Sequence, residues 1–112
     1  MGASSQRKGA AGERELAALL RQYGYDIKRG GFVFGEVPDL TGLPGIHIEV
    51  KRVEKLNLDA AMDQSIADSQ KFKDGFPAVF HRKNHRPWEI TMRLEDFLEI
   101  YNNSDYPDTG GK

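Results

Sequence analysis

Pro38-Asp39-Leu40-Thr41-Gly42-Leu43-Pro44-Gly45-Ile46-His47-Ile48-Glu49-Val50-Lys51-Arg52 is the stretch on which the reading of this chain turns. A proline disfavours helix just before it, so the segment Pro38 to Thr41 is expected to be extended. Gly42, Pro44 and Gly45 predict a tight turn. Ile46 to Val53 is the clearest strand: Ile46, Ile48 and Val50 point one way, and His47, Glu49 and Lys51 the other. After so short a turn Asp39 can lie on a neighbouring strand beside Glu49. Two carboxylates so placed offer oxygen donors to a hard cation such as Mg²⁺, and the main-chain carbonyl of Val50 is a further candidate ligand. Lys51, on the same face as Glu49, could orient a water and offset charge in a phosphorane-like transition state. A plainer alternative is an exposed strand face with a cross-strand ion pair, and spacing alone does not choose between them. The acid-x-Lys pattern also occurs at Asp26-Ile27-Lys28, and a second Pro-Asp at Pro107-Asp108, but only Glu49-Val50-Lys51 has Pro-Asp upstream at hairpin distance.

Upstream of this stretch, residues 1–8 are expected to form a loose arm. Gly9 to Tyr23 is expected to be helical, since Leu16, Leu19, Leu20 and Tyr23 recur at helical spacing and Gly24 suits the C-terminal cap. Tyr25 to Arg29 and Phe32-Val33-Phe34 are short extended runs. Downstream, Leu58 to Phe72 is a second helix with Asn57 as N-cap and Leu58, Ala61, Met62, Ile66 and Phe72 as its apolar side. Phe76 to His81 and Trp88 to Met92 form a hairpin with Arg82, Lys83 and Arg86 at its tip. Leu94 to Tyr101 is a short last helix, and residues 102–112 are expected to be a flexible tail. Tyr23, Phe80 and Trp88 are expected in the core. The order α-β-β-β-α-β-β-α predicts one α/β domain over residues 1–112, a mixed central sheet flanked by helices.

Composition narrows the function classes. The chain has 112 residues, no Cys, 38% hydrophobic and 29% charged residues. One core is expected at that length, with neither a disulfide framework nor a Cys-based zinc site. No apolar run approaches a membrane span, and no apolar segment of a secretory signal follows the basic N-terminal stretch. The net charge of −1 conceals an asymmetry, because residues 1–31 carry six basic and three acidic side chains while residues 95–112 carry five acids and one lysine. Local basic patches matter more than the total for gripping phosphate. His81 and His85 lack partners at zinc-ligand spacing, and His47, on the Glu49 face, reads more readily as filler than as part of a site.

Pro38-Asp39 with Glu49-Val50-Lys51 resembles the PD-(D/E)xK nuclease signature. Lys8-Gly9-Ala10-Ala11-Gly12-Glu13-Arg14-Glu15-Leu16 resembles the first helix of archaeal-type and phage Holliday junction resolvases. The resemblance spans roughly residues 7–101 and implies a restriction-endonuclease-like core. It implies that Asp39 and Glu49 hold metal with Glu13 nearby, that Lys51 is catalytic, and that Gln64, on the helix after the Lys51 strand, faces the site. The helical wheel does not separate Glu13 from Glu15, which lie almost equally far from the centre of the leucine stripe on opposite sides, and an exposed Gln64 is an equal alternative.

The implied activity is Mg²⁺-dependent hydrolysis of phosphodiesters in branched DNA, with Mn²⁺ as a substitute metal, by a homodimer that cuts two strands. Arg7, Lys8, Arg14, Arg52, Arg82, Lys83 and Arg86 are the expected DNA contacts, reading backbone shape rather than bases. The alternatives are a related nuclease acting on flaps, nicks or linear duplex, and a non-catalytic DNA-binding module on the same fold. The stretch Gly30 to Val37 lacks the serine and basic loop of archaeal resolvases, which bears on junction contacts more than on cutting. The acidic C-terminus bears in the same way on dimerisation. A cytoplasmic protein of a bacterial, archaeal or phage-infected cell is expected, and the small size suits a phage gene.

Overall fold

The structure is a computed structural model that describes residues 2–30 and 37–109, with side chains for 9–30 and 37–107. The run Phe32-Val33-Phe34 and the side chains of Arg7 and Lys8 lie outside the described residues. In chain order the elements are α1 (Gly2–Gln22), β1 (Lys28–Arg29), β2 (Leu40–Thr41), β3 (Ile46–Arg52), α2 (Leu58–Phe72), β4 (Phe76–Arg82), β5 (Glu89–Met92), α3 (Leu94–Asn102) and α4 (Tyr106–Thr109). The five strands lie in sheet order β1-β2-β3-β4-β5. β3 and β4 are parallel, and every other neighbouring pair is antiparallel. This mixed sheet with helices against it is the restriction-endonuclease-like architecture.

β3 is the hinge of the fold. It pairs with β4 over its whole length, from Ile46 opposite Phe76 to Arg52 opposite Arg82. A parallel neighbour requires a crossover, and α2 supplies it. On one face of β3, Ile48 joins Leu16, Ala17, Ile27, Leu40, Ala78 and Phe80 in the buried cluster, with Ile46, Val50, Leu20, Leu43, Trp88 and Met92 packed against it. On the other face, His47 and Glu49 are buried beneath α2. The period-two alternation of β3 thus separates an apolar face from a polar one, and both are covered.

α1 is set against β3 by a glycine. A Cβ added at Gly12 would lie 2.6 Å from Cβ of Arg52, so only a residue without a side chain permits this approach. The helix ends in a Schellman motif: the Tyr25 N–H reaches the Leu20 carbonyl, the Gly24 N–H reaches the Arg21 carbonyl, and Gly24 takes the left-handed φ of 96°. Tyr23 falls on this unwinding end and is 74% exposed, so it is not a core residue; the buried stripe is Leu16 and Ala17, with Leu20 beside it. The helix starts at Gly2, not near Gly9. The stretch expected as an arm contains Ala3, Gln6, Arg7 and Lys8, all good helix formers.

α2 has the expected bounds, and the side chain of Asn57 caps it by accepting from the Ala60 N–H at 3.0 Å. Its buried face differs from the expected apolar side: Ala61, Ser65 and Ser69, at i, i+4 and i+8, are its buried residues. Serine on that face costs little because each hydroxyl is satisfied: Ser65 Oγ donates to the Ala78 carbonyl and Ser69 Oγ to that of Ile66, both at 2.9 Å. Small side chains let the helix lie close to the sheet. Beyond α3, the expected tail contains the short α4, with the ring of Tyr106 stacked on that of Tyr101. No helix among the described residues is long and apolar enough to cross a membrane.

Candidate functional site

β2 brings Asp39 to Glu49. Leu40 pairs with Ile48 in antiparallel register, so the next position outward sets Asp39 across from Glu49. Glu49 is 5% exposed, and its Oε2 lies 3.7 Å from Nζ of Lys51. Lys51 Nζ also donates to Oε1 of Gln64 on α2 at 3.1 Å. The glutamine therefore faces the strand and is fixed by the lysine. Val50 stands between Glu49 and Lys51 on β3 with its side chain against the α1 face.

α1 separates its two glutamates. Glu13 faces the β1–β2 edge, where it pairs with Arg29 at 3.3 Å and contacts Asp39. Glu15 faces the β4–β5 edge, where it accepts from Arg82 and from the Trp88 indole and lies 3.4 Å from Nε of Arg52. Glu13, not Glu15, is the glutamate beside Asp39. The wheel could not separate them because the distinction lies in which sheet edge each one faces.

Electrostatics divides the two sites in the same way. Burial first and the neighbouring Asp39 second raise the Glu13 pKa, against the lowering pull of Arg29. Burial, followed by the charge of Glu49, raises that of Asp39, with Lys51 opposing. For Glu15, burial would raise the pKa, but the hydrogen bond and charge of Arg82, with Arg52 and Trp88, outweigh it and hold the carboxyl low. Burial and the neighbouring carboxylates thus both disfavour charge on Glu13 and Asp39, with Arg29 and Lys51 opposing only in part.

Two residues enter that the sequence reading did not assign. Asp68 lies one turn after Gln64 on the same side of α2 and adds its charge to the surroundings of Asp39. Its i+4 spacing from Gln64 was the available signal. His47 is no filler: it is 2% exposed, its Nδ1 lies 2.8 and 3.0 Å from the two carboxylate oxygens of Asp74, and its Nε2 is 3.5 Å from Oε1 of Glu49. Burial opposes protonation of the ring, but Glu49 and Asp74 outweigh it and raise its pKa.

The expected DNA contacts divide. Arg52 and Arg82 are engaged by Glu15, with Arg52 also bonded to Asn84 and Arg82 to the Arg86 carbonyl. They brace the β4–β5 connection. Lys83 and Arg86 on that connection, and Arg14 on α1, are exposed. A groove of about 480 Å³ runs beside the connection, bordered by Leu56, Leu58, His81, Lys83 and Arg86.

No protein-family model and no curated protein matches the chain. Among solved structures it is similar to Hjc of Archaeoglobus fulgidus, a Holliday junction resolvase from an archaeal hyperthermophile. The two share 25% sequence identity and superpose with a TM-score of 0.56, over 76% of this chain and 72% of that one. The resemblance carried by Pro38-Asp39, Glu49-Val50-Lys51 and the first helix thus extends to the three-dimensional fold.

Proposed function

We propose that this chain is a divalent-metal-dependent endonuclease that hydrolyses phosphodiesters in branched DNA. The observation that carries the reading is the convergence of Asp39, Glu49, Lys51, Gln64 and Glu13 from four separate elements. Likeness to a resolvase supports the choice of DNA junctions as substrate.

The donor set suits a hard cation. Asp39 and Glu49 offer carboxylate oxygens, Glu13 stands beside Asp39, and a dication would offset the burial and the Glu49 charge that disfavour ionisation of Asp39. Asp39 and Glu49, with Glu13 nearby and the Val50 carbonyl as a further donor, would hold Mg²⁺ or, in its place, Mn²⁺. When bound, the cation lowers the pKa of a coordinated water and withdraws charge from the phosphate.

The chain's own groups do the rest. Lys51, held between Glu49 and Gln64, orients the attacking water in line with the scissile phosphorus and offsets the charge that grows on the phosphoryl oxygens. Gln64 fixes the position of the ammonium group. As the water oxygen bonds to phosphorus and gives up a proton to solvent, a P–O ester bond breaks and the leaving sugar oxygen takes up a proton from solvent. Arg14, Lys83 and Arg86, with Arg7 and Lys8, hold the DNA backbone electrostatically, so binding should weaken steeply with salt. A second copy of the chain would supply the second cut, and the apolar outer side of α3, where Phe97, Leu98 and Tyr101 are exposed, suits that pairing.

The test is cleavage of a labelled four-way junction, a flap and a linear duplex, with Mg²⁺ and with EDTA, by wild type and Asp39→Asn. Paired symmetric cuts in the junction that require both metal and Asp39 would support the reading. Metal-dependent cutting of the flap or duplex alone would move the substrate. Binding without cutting of any DNA would remove the enzyme.

A further inference from the structure

The His47 imidazole has a buried nitrogen that the proposed nuclease chemistry does not use. Asp74 accepts the Nδ1–H, so the neutral ring presents its lone pair at Nε2, the atom from which a bound cation would displace a proton. That atom is fully buried and makes no hydrogen bond among the described residues. An unsatisfied buried nitrogen is costly and calls for a partner. Phe72 stacks on the imidazole, 6.3 Å between centroids and 18° between planes, and so fixes the direction of Nε2. It points at Glu49. His47, Glu49 and Asp68 each present one ligand atom, and these atoms lie within 4.8 Å of one another.

We propose that His47 Nε2, Glu49 and Asp68 form a second cation site, one with a nitrogen donor, that shares Glu49 with the Asp39 side. The separation of 3.5 Å between Nε2 and Glu49 Oε1 suits two ligands on one metal, since donors at about 2.1 Å in tetrahedral geometry stand about 3.4 Å apart. Asp68 is half-buried on α2 and can close on the ion by a change of rotamer. Asp74 has the place of the carboxylate that commonly orients a ligating histidine. A mixed imidazole and carboxylate set favours a first-row transition ion over Mg²⁺, which prefers oxygen alone. Three protein ligands leave positions open for water. The inference builds on the proposed nuclease reading only in that both use Glu49.

The experiment is Mn²⁺ titration of the full chain followed by pulsed electron paramagnetic resonance, which detects a directly bound nitrogen. Expected is a nitrogen-coupled Mn²⁺ in wild type, its loss in His47→Gln, a drop of at least about tenfold in affinity for that ion in Asp68→Asn, and its persistence in Asp39→Asn. Asp68→Asn keeps the test sound if the buried His47 variant fails to fold. Mn²⁺ bound to wild type without nitrogen coupling would overturn the site. Coupling that survives His47→Gln, or affinity unchanged in Asp68→Asn, would do the same and reduce His47 to a proton carrier between Asp74 and Glu49. The two readings fail separately: nitrogen-coupled Mn²⁺ without any DNA cleavage removes the nuclease and keeps this site, and cleavage without nitrogen coupling does the reverse.

Discussion

Glu13 and Glu15 are two residues apart on one helix, yet they occupy opposite electrostatic surroundings. At the β1–β2 edge, Glu13 meets Asp39, and Asp39 faces Glu49 on β3, with Arg29 and Lys51 as opposing cations; burial and these neighbours raise the pKa values of Glu13 and Asp39. At the β4–β5 edge, Glu15 sits among Arg52, Arg82 and Trp88, and its pKa falls. The second arrangement is neutralised and holds strands and helix together. The first leaves buried carboxylates only partly compensated. What separates the two glutamates is how far neighbouring cations compensate each carboxylate for its burial.

The sharpest way to break this comparison is at Lys51. Lys51→Ala is expected to slow junction cleavage by about 10²–10³-fold, as for other single transition-state stabilisers, with DNA binding retained in a gel-shift assay. Undiminished cleavage would remove the crowded edge from the chemistry. Gly12 governs both edges at once, since it sets α1 on β3. Gly12→Ala should destabilise the fold by about 1–3 kcal/mol in urea denaturation and disturb both glutamates.

Glu15→Gln acts on the neutralised edge alone. It should cost at most about 1 kcal/mol, given how exposed that carboxylate is, and leave the cleavage rate unchanged. Its pH signature follows from the lowered pKa: the stability Glu15 contributes is present above its ordinary value and lost as pH falls through the lowered one. The smallest effect has the opposite sign. A raised carboxyl contributes stability that is present below its ordinary value and lost as pH rises through the raised one. Asp39→Asn in EDTA should therefore be more stable than wild type at neutral pH, by about 0.5 kcal/mol or less, with the gain vanishing in acid. Denaturation at both pH values checks it, and a destabilised variant would show that Asp39 is structurally compensated.

Local patterns carried most of the fold. Alternation revealed β3, and Asn57 marked the start of α2, because these signals lie within a few residues of one another. The Asp39–Glu49–Lys51 group was legible for the same reason: one turn joins its strands. His47 was misread because what distinguishes it is Asp74, 27 residues away across a helix. Asp68 resembled any acid on a helix surface until α2 was laid over β3. The serine face of α2 hid its packing, since serine reads as polar wherever its hydroxyl has not yet met a carbonyl.

The paired length of β3 with β4 has a further consequence for heating. Glu49 and Lys51 stand on the innermost strand, covered on both faces, where backbone amides should exchange with solvent only through global unfolding. The short β1 and β2, which deliver Asp39, should open earlier. Catalytic failure on warming would then begin as an edge departing from an intact centre, visible as deuterium uptake at residues 28–30 and 39–41 while residues 46–52 remain protected.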